Sequence, residues 1–189
     1  AGGWRLGTFS FPAKLHWLMD AMAAVASETY TSVSAPIQYA AIQAFLCGSE
    51  IENYLSHVRK ILALLGKETA AILKNGNISV NDPTGGFYLF LDFTPLSEKL
   101  VKRGIADGSI LCDRLLDECG VAILPGVDFN RPAEELSARL SYVDFDGAKA
   151  LSASYSIPLH EKFPADFLFQ YCGNVIEAAE KIVEWGNAE

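Results

Sequence analysis

The sequence is short of positive charge and of patterned cysteine. Its 15 Lys+Arg stand against 23 Asp+Glu, a net charge of -8, and no basic cluster interrupts that balance. A basic patch is the electrostatic footprint of nucleic acid or anionic membrane binding, so neither is expected as a partner. The four cysteines, Cys47, Cys112, Cys119 and Cys172, show no CxxC spacing. Scattered thiols in so apolar a chain read as reduced and buried, as in a cytoplasmic protein. No uninterrupted apolar run is long enough to span a bilayer. Gly66-Lys67-Glu68 lacks the upstream glycine and the hydroxyl residue of a phosphate-binding loop, and no GxSxG elbow occurs. His16, His57 and His160 stand apart from carboxylates and cysteines at ligand spacing, so no metal site is expected.

What remains is an apolar chain with a few well-placed charges. Half of the residues are hydrophobic and the mean hydropathy is +0.18. That is rich for one soluble domain, so part of the apolar surface is expected to meet a partner segment. The chain opens inside a motif, Ala1-Gly2-Gly3-Trp4-Arg5-Leu6-Gly7, with no start methionine. Targeting is therefore not legible. Arg5 has no acidic neighbour before Asp20, which suits a bound anion better than an ion pair.

Periodicity orders the chain into helices and strands. Trp4 to Phe11 is apolar and β-prone and predicts a buried strand, stopped by Pro12. Leu15, Leu18, Met19 and Met22 recur at helical spacing, and a polar loop follows over Thr29–Ser34. Ser34 and Pro36 open a second helix that stops at Gly48. Ser49-Glu50-Ile51-Glu52 predicts a capping box, ahead of one apolar stripe from Ile51 to Leu65. Asn75-Gly76 ends that long helix.

Beyond it, Phe87, Leu89, Leu91 and Phe93 share one face of a strand after the Asp82–Gly86 turn. A short helix from Thr94-Pro95 ends near Gly104, and another runs from Asp107 to Gly120. Strands are expected over Val121–Leu124 and Ala138–Val143. Asp144 is read as the cap of a short helix, residues 153–172 as an irregular connection, and Asn174 as the cap of the last helix.

Three places could carry chemistry. Arg5 lies beside glycines, where backbone and guanidinium together could hold a phosphate, although an ordinary strand-end arginine is the alternative. Arg139, in Ala138-Arg139-Leu140-Ser141-Tyr142, sits among mostly apolar neighbours and needs a carboxylate from the protein or from a ligand. Pro125-Gly126-Val127-Asp128-Phe129 is a turn after a buried strand, and turn chemistry alone explains it equally well.

Taken together, GGWRLG, SAPIQYAA (Ser34 to Ala41), GGFYLF (Gly85 to Phe90), PGVDF and RLSY stand in one order along nearly the whole chain. In that order and spacing the sequence resembles the C-terminal half of class I/II aminotransferases, pyridoxal-phosphate enzymes of fold type I. The resemblance implies an α/β architecture: the end of the large cofactor-binding domain over 1–49, a connecting helix over 50–74, and the small C-terminal domain over 75–189.

It also implies roles. Arg5 would bind the phosphate of pyridoxal 5'-phosphate, and Arg139 would grip the substrate α-carboxylate with a two-pronged hydrogen bond. Phe129 would line the substrate pocket. Ser32 and Ser34 would stand near a homodimer interface and the neighbouring site. Substrates would be an amino acid and a 2-oxo acid.

Two departures accompany the resemblance. The lysine of the Schiff base falls a few residues ahead of Ala1, and Lys14, at the start of a helix, is no substitute. The chain alone is accordingly expected to be inactive. The aspartate-specific branch carries an extra arginine just before the SAPIQ-like loop, where this sequence has Thr29-Tyr30-Thr31; no arginine occurs between Arg5 and Arg59. Aspartate specificity is therefore not expected. A lyase or synthase on the same cofactor, and a non-catalytic ligand-sensing domain, share these motifs and remain alternatives.

Overall fold

A computed structural model describes residues 2–30 and 32–188 and divides the chain into two units, Ala1–Tyr54 and Leu55–Glu189. In the first unit a 3-10 turn over Gly2–Trp4 leads to an irregular segment and a second 3-10 turn, Ala13–Leu15. Helices α1 (His16–Thr29) and α2 (Ala35–Phe45) follow. The strand expected over Trp4–Phe11 is not formed. A strand is stable only beside another that takes up its N–H and C=O groups, and the described residues of this unit contain none. Thr29 belongs to α1, so the polar loop starts at Tyr30; Thr31 lies outside the described residues.

Helix α3 spans Ser49–Asn75. The expected capping box is replaced by a backbone start: Ser49 is already helical, and the Glu52 amide donates to the Gly48 carbonyl at 3.0 Å. Its far end closes by the amides of Ile78 and Asn77 donating to Leu73 and Lys74, each at 3.0 Å. The left-handed residue of that closure is Asn77 (φ 61), not Gly76. Gly76 is required for another reason. A Cβ there would overlap Val183, so glycine lets the chain pass against the last helix.

The second unit is built on a four-stranded antiparallel sheet of β1 (Ser79–Val80), β2 (Tyr88–Asp92), β3 (Leu124–Pro125) and β4 (Ser137–Ser141), in the order β1-β2-β4-β3. Between the strands lie α4 (Ser97–Lys102) and α5 (Gly108–Cys119), and after them α6 (Gly147–Tyr155) and α7 (Phe167–Asn187). Alternation sets the two faces of the sheet. Leu89 pairs with Leu140 and Leu91 with Ala138, all four buried. They join Leu65 and Leu73 of α3, Leu111 and Leu115 of α5 and Ile182 of α7 in one core. The other face carries Tyr88, Phe90, Leu124 and Arg139.

Several boundaries differ from the sequence reading, each for a local reason. Asp107 caps α5 as expected, accepting from the Ile110 amide at 2.8 Å, and Gly120 (φ 68) closes it. The cap of α6 is Asp146, which accepts from the Lys149 amide at 3.1 Å; Asp144 lies two residues too early. Of the strand expected over 121–124 only Leu124 pairs with β4, joined by Pro125 just beyond it. The connection expected over 153–172 is irregular over 156–166 and helical at both ends. It contains the end of α6 and the first turn of α7, which begins at Phe167 and is kinked at Cys172 (φ -130). Asn174, expected as the cap of the last helix, lies two residues past that kink, inside α7. The thiols are all free, but Cys47 is exposed and Cys119 half-buried, so only Cys112 and Cys172 fit the expected burial. No helix among the described residues is long and apolar enough to cross a membrane.

Candidate functional site

Arg139 stands in the middle of β4, directly across from Phe90 on β2 and Leu124 on β3. Its odd-numbered position turns it away from the core, onto the open face of the sheet. Among the described residues no carboxylate pairs with it. Its Nε is buried with no hydrogen-bond partner. Two aromatic rings lie on its guanidinium instead, Tyr88 at 4.3 Å and Phe129 at 4.1 Å from Cζ to the ring centre. Phe90 meets Phe129 edge-on, centroids 6.2 Å apart. A planar cation covered on its faces keeps its N–H edge for a ligand, and a carboxylate matches that edge with two parallel hydrogen bonds.

Phe129 reaches Arg139 from the turn after β3. The segment Gly126–Phe129 is a 3-10 turn followed by Asn130 in the left-handed region (φ 63). The Arg131 amide closes the turn on the Gly126 carbonyl at 3.2 Å. Gly126 lies so near the Ser137 hydroxyl that a side chain there would overlap it. Arg131 in turn is held by a fork to Glu135, with Nε and Nη2 each 2.8 Å from a carboxylate oxygen. These two residues border a cavity of about 390 Å³ together with Phe90, Asp92, Thr94 and Ser137. Its one arginine, Arg131, is already neutralised by Glu135, whereas Arg139 meets no carboxylate among the described residues.

The structure therefore brings Arg139 and Phe129 together. Tyr88 was missed by sequence reasoning, although the alternation that buries Leu89 and Leu91 already places Tyr88 and Phe90 on the outer face. Arg5, Ser32 and Ser34 belong to the first unit, and all three are exposed. Arg5 follows the Gly2–Trp4 turn with a left-handed backbone (φ 57), a conformation that non-glycine residues seldom adopt. No carboxylate pairs with it among the described residues. The Ser34 side chain makes no capping bond, while its carbonyl accepts from the amides of Ile37 and Gln38 at 3.0 and 3.1 Å. His57 is a buried structural group: its Nδ1 is 2.7 Å from the Ser154 hydroxyl, and its ring meets Tyr155 edge-on.

Comparison with known proteins gives this arrangement a family. The chain is 30% identical over 141 residues to an aspartate aminotransferase from Bacillus sp. (strain YM-2), covering 74% of this chain and 33% of that protein. It is 31% identical over 145 residues to an aspartate/prephenate aminotransferase from Thermus thermophilus, covering 74% of this chain and 32% of that one. It thus spans about a third of the length of these relatives. A solved structure of an aromatic aminotransferase from Pyrococcus horikoshii superposes with a TM-score of 0.61 at 22% identity, over 97% of this chain and 38% of that one, and shows a shared α/β fold. The family model for aminotransferase class I and II matches residues 1–150. The chain belongs to the class I and II aminotransferases.

Proposed function

We propose that this chain works as part of a pyridoxal-phosphate aminotransferase and supplies its substrate-carboxylate and cofactor-phosphate contacts. The observation that carries the reading is Arg139, a half-buried guanidinium on an open sheet face with no carboxylate partner among the described residues. A buried cation without a partner is costly, and a ligand carboxylate relieves that cost. Arg139 thereby binds the α-carboxylate of the amino acid and of the 2-oxo acid and fixes the direction from which each is held. Phe129, whose ring lies 4.1 Å from the guanidinium carbon, shields one side of that bond from water.

The residues present suit the phosphate end of pyridoxal 5'-phosphate. Arg5 is exposed, meets no carboxylate among the described residues and is preceded by a glycine pair, so its guanidinium and neighbouring amides are available to a phosphate. When bound, the cofactor supplies the electron sink that lets an amino group leave an amino acid. Ser32 and Ser34 stand in the loop that the resemblance brings to a homodimer interface.

The test is an assay of the full-length protein with pyridoxal 5'-phosphate and a panel of amino acids. Amino transfer that requires an added 2-oxo acid supports the proposal. Turnover that proceeds without a 2-oxo acid and releases ammonia or pyruvate moves the protein to the lyases, and no turnover with intact cofactor binding favours a sensing domain.

A further inference from the structure

Arg139 has a problem that its neighbours solve in an unusual way. A long side chain that must stay charged and unpaired also has to be held still, because ordering it at the moment of binding weakens the bond to any ligand. The common solution is a carboxylate partner, but a carboxylate competes with the ligand for the same N–H groups. Neutral aromatic faces hold a cation without neutralising it.

Tyr88 and Phe129 approach the guanidinium of Arg139 from different elements. Tyr88 is its diagonal neighbour across the β2–β4 ladder, since Phe90 is its direct partner and Tyr88 pairs with Ser141. Phe129 arrives from the turn pinned by Gly126 against Ser137. We infer that Tyr88 is a positioning residue, which with Phe129 braces the Arg139 guanidinium in the orientation that receives a carboxylate. The inference rests on the reading of Arg139 as the carboxylate grip. In it Tyr88 acts through its ring face; its hydroxyl plays no part.

The experiment uses the full-length protein in four forms: wild type, Tyr88→Leu, Tyr88→Phe and Arg139→Ala. Two readouts are taken, KM and kcat for amino transfer and the calorimetric Kd of 3-phenylpropionate, a carboxylate with no amino group to react. Tyr88→Leu is expected to raise KM and Kd by roughly 3- to 30-fold, the range of one cation–π contact from exposed to desolvated. Its kcat should stay within about twofold, because the ring touches no reacting atom. Tyr88→Phe should behave as wild type. Should Tyr88→Leu fail to fold, Phe129→Leu removes the other half of the brace, with the same expected split between KM and kcat. Loss of binding in Arg139→Ala with wild-type binding in Tyr88→Leu overturns the brace and leaves the reading of Arg139 standing. Equal damage from Tyr88→Phe and Tyr88→Leu also overturns it, since the hydroxyl would then be the active group. Unchanged binding in Arg139→Ala overturns both.

Discussion

At the scale of single residues, Arg139 and Arg5 share one property: neither meets a carboxylate among the described residues. For Arg139 this was half legible in the sequence, since an arginine among apolar strand residues has to find an anion somewhere. Which anion was not legible, because the answer depends on which residues the sheet register brings beside it. The same register hid Tyr88, whose place beside Arg139 follows from pairing between segments about fifty residues apart (Tyr88 with Ser141). The thiols offer a separate test at this scale. Burial pushes Cys112 up to about 12, with Asp113 and Asp128 adding to it, and pushes Cys172 up to about 11. Neither forms a thiolate near neutral pH, whereas Cys47 is exposed. Iodoacetamide at pH 8 should label Cys47 within minutes and reach Cys112 and Cys172 only after unfolding, as peptide mass spectrometry will show. Labelling of Cys112 in the native chain would contradict the packing described.

At the scale of elements, α5 was legible at both ends and the starts of α3 and α6 were not. Asp107 and Gly120 bracket α5 as their chemistry predicts, because each acts on neighbours within the same turn. Asp144 misled because Asp146, two residues on, offers the same carboxylate to the true helix start. Gly66, inside α3, has a tertiary reason to be glycine. A Cβ there would stand 2.8 Å from the Tyr142 hydroxyl, which is fixed by a 3.0 Å bond to the Gly86 carbonyl. Gly66→Ala gains about 1 kcal/mol of helix propensity, but overpacking a closed core costs about 1–3 kcal/mol. Tyr142 is 1% exposed and can yield only by breaking its bond to Gly86, so we expect a lower melting temperature by calorimetry.

Glu118 of α5 links α7 and Arg103, the residue that closes α4. It accepts from the Trp185 indole at 2.7 Å and is paired with Arg114 and Arg103. The Trp185 bond first, then the Arg114 bond and the two arginine charges, hold its carboxyl below the ordinary glutamate value. A carboxyl whose folded value is depressed adds stability that is complete above its unfolded value, about pH 4.3. That stability fades as pH falls through the lower folded value. Glu118→Gln should therefore be less stable than wild type at pH 7, and the gap should close in acid. Urea titrations at pH 7 and pH 3 check this, and a gap that persists undiminished at pH 3 would refute it.

At the scale of the whole molecule, the two units differ in how they are finished. The second has a continuous core beneath one face of its sheet. The first has no buried residue among those described, and it exposes Trp17 (65%), Phe45 (60%) and Leu46 (68%). The high hydrophobic content pointed to such a surface, and the failed strand at Trp4–Phe11 belongs to it: apolar, β-prone residues predict a strand only where a second strand is at hand. Exposed apolar patches of this kind drive association. Sedimentation velocity of the 189-residue chain should show mass increasing with concentration; a single monomer at the highest concentration would count against it.

If Arg139 holds the carboxylate on which an aminotransferase acts, one substitution will reveal it. In the full-length protein, Arg139→Ala removes a two-pronged, charge-assisted contact, so kcat/KM for the amino acid should fall on the order of 100-fold. The affinity for pyridoxal 5'-phosphate should not change. If Arg139→Ala keeps the wild-type kcat/KM, the claim is wrong.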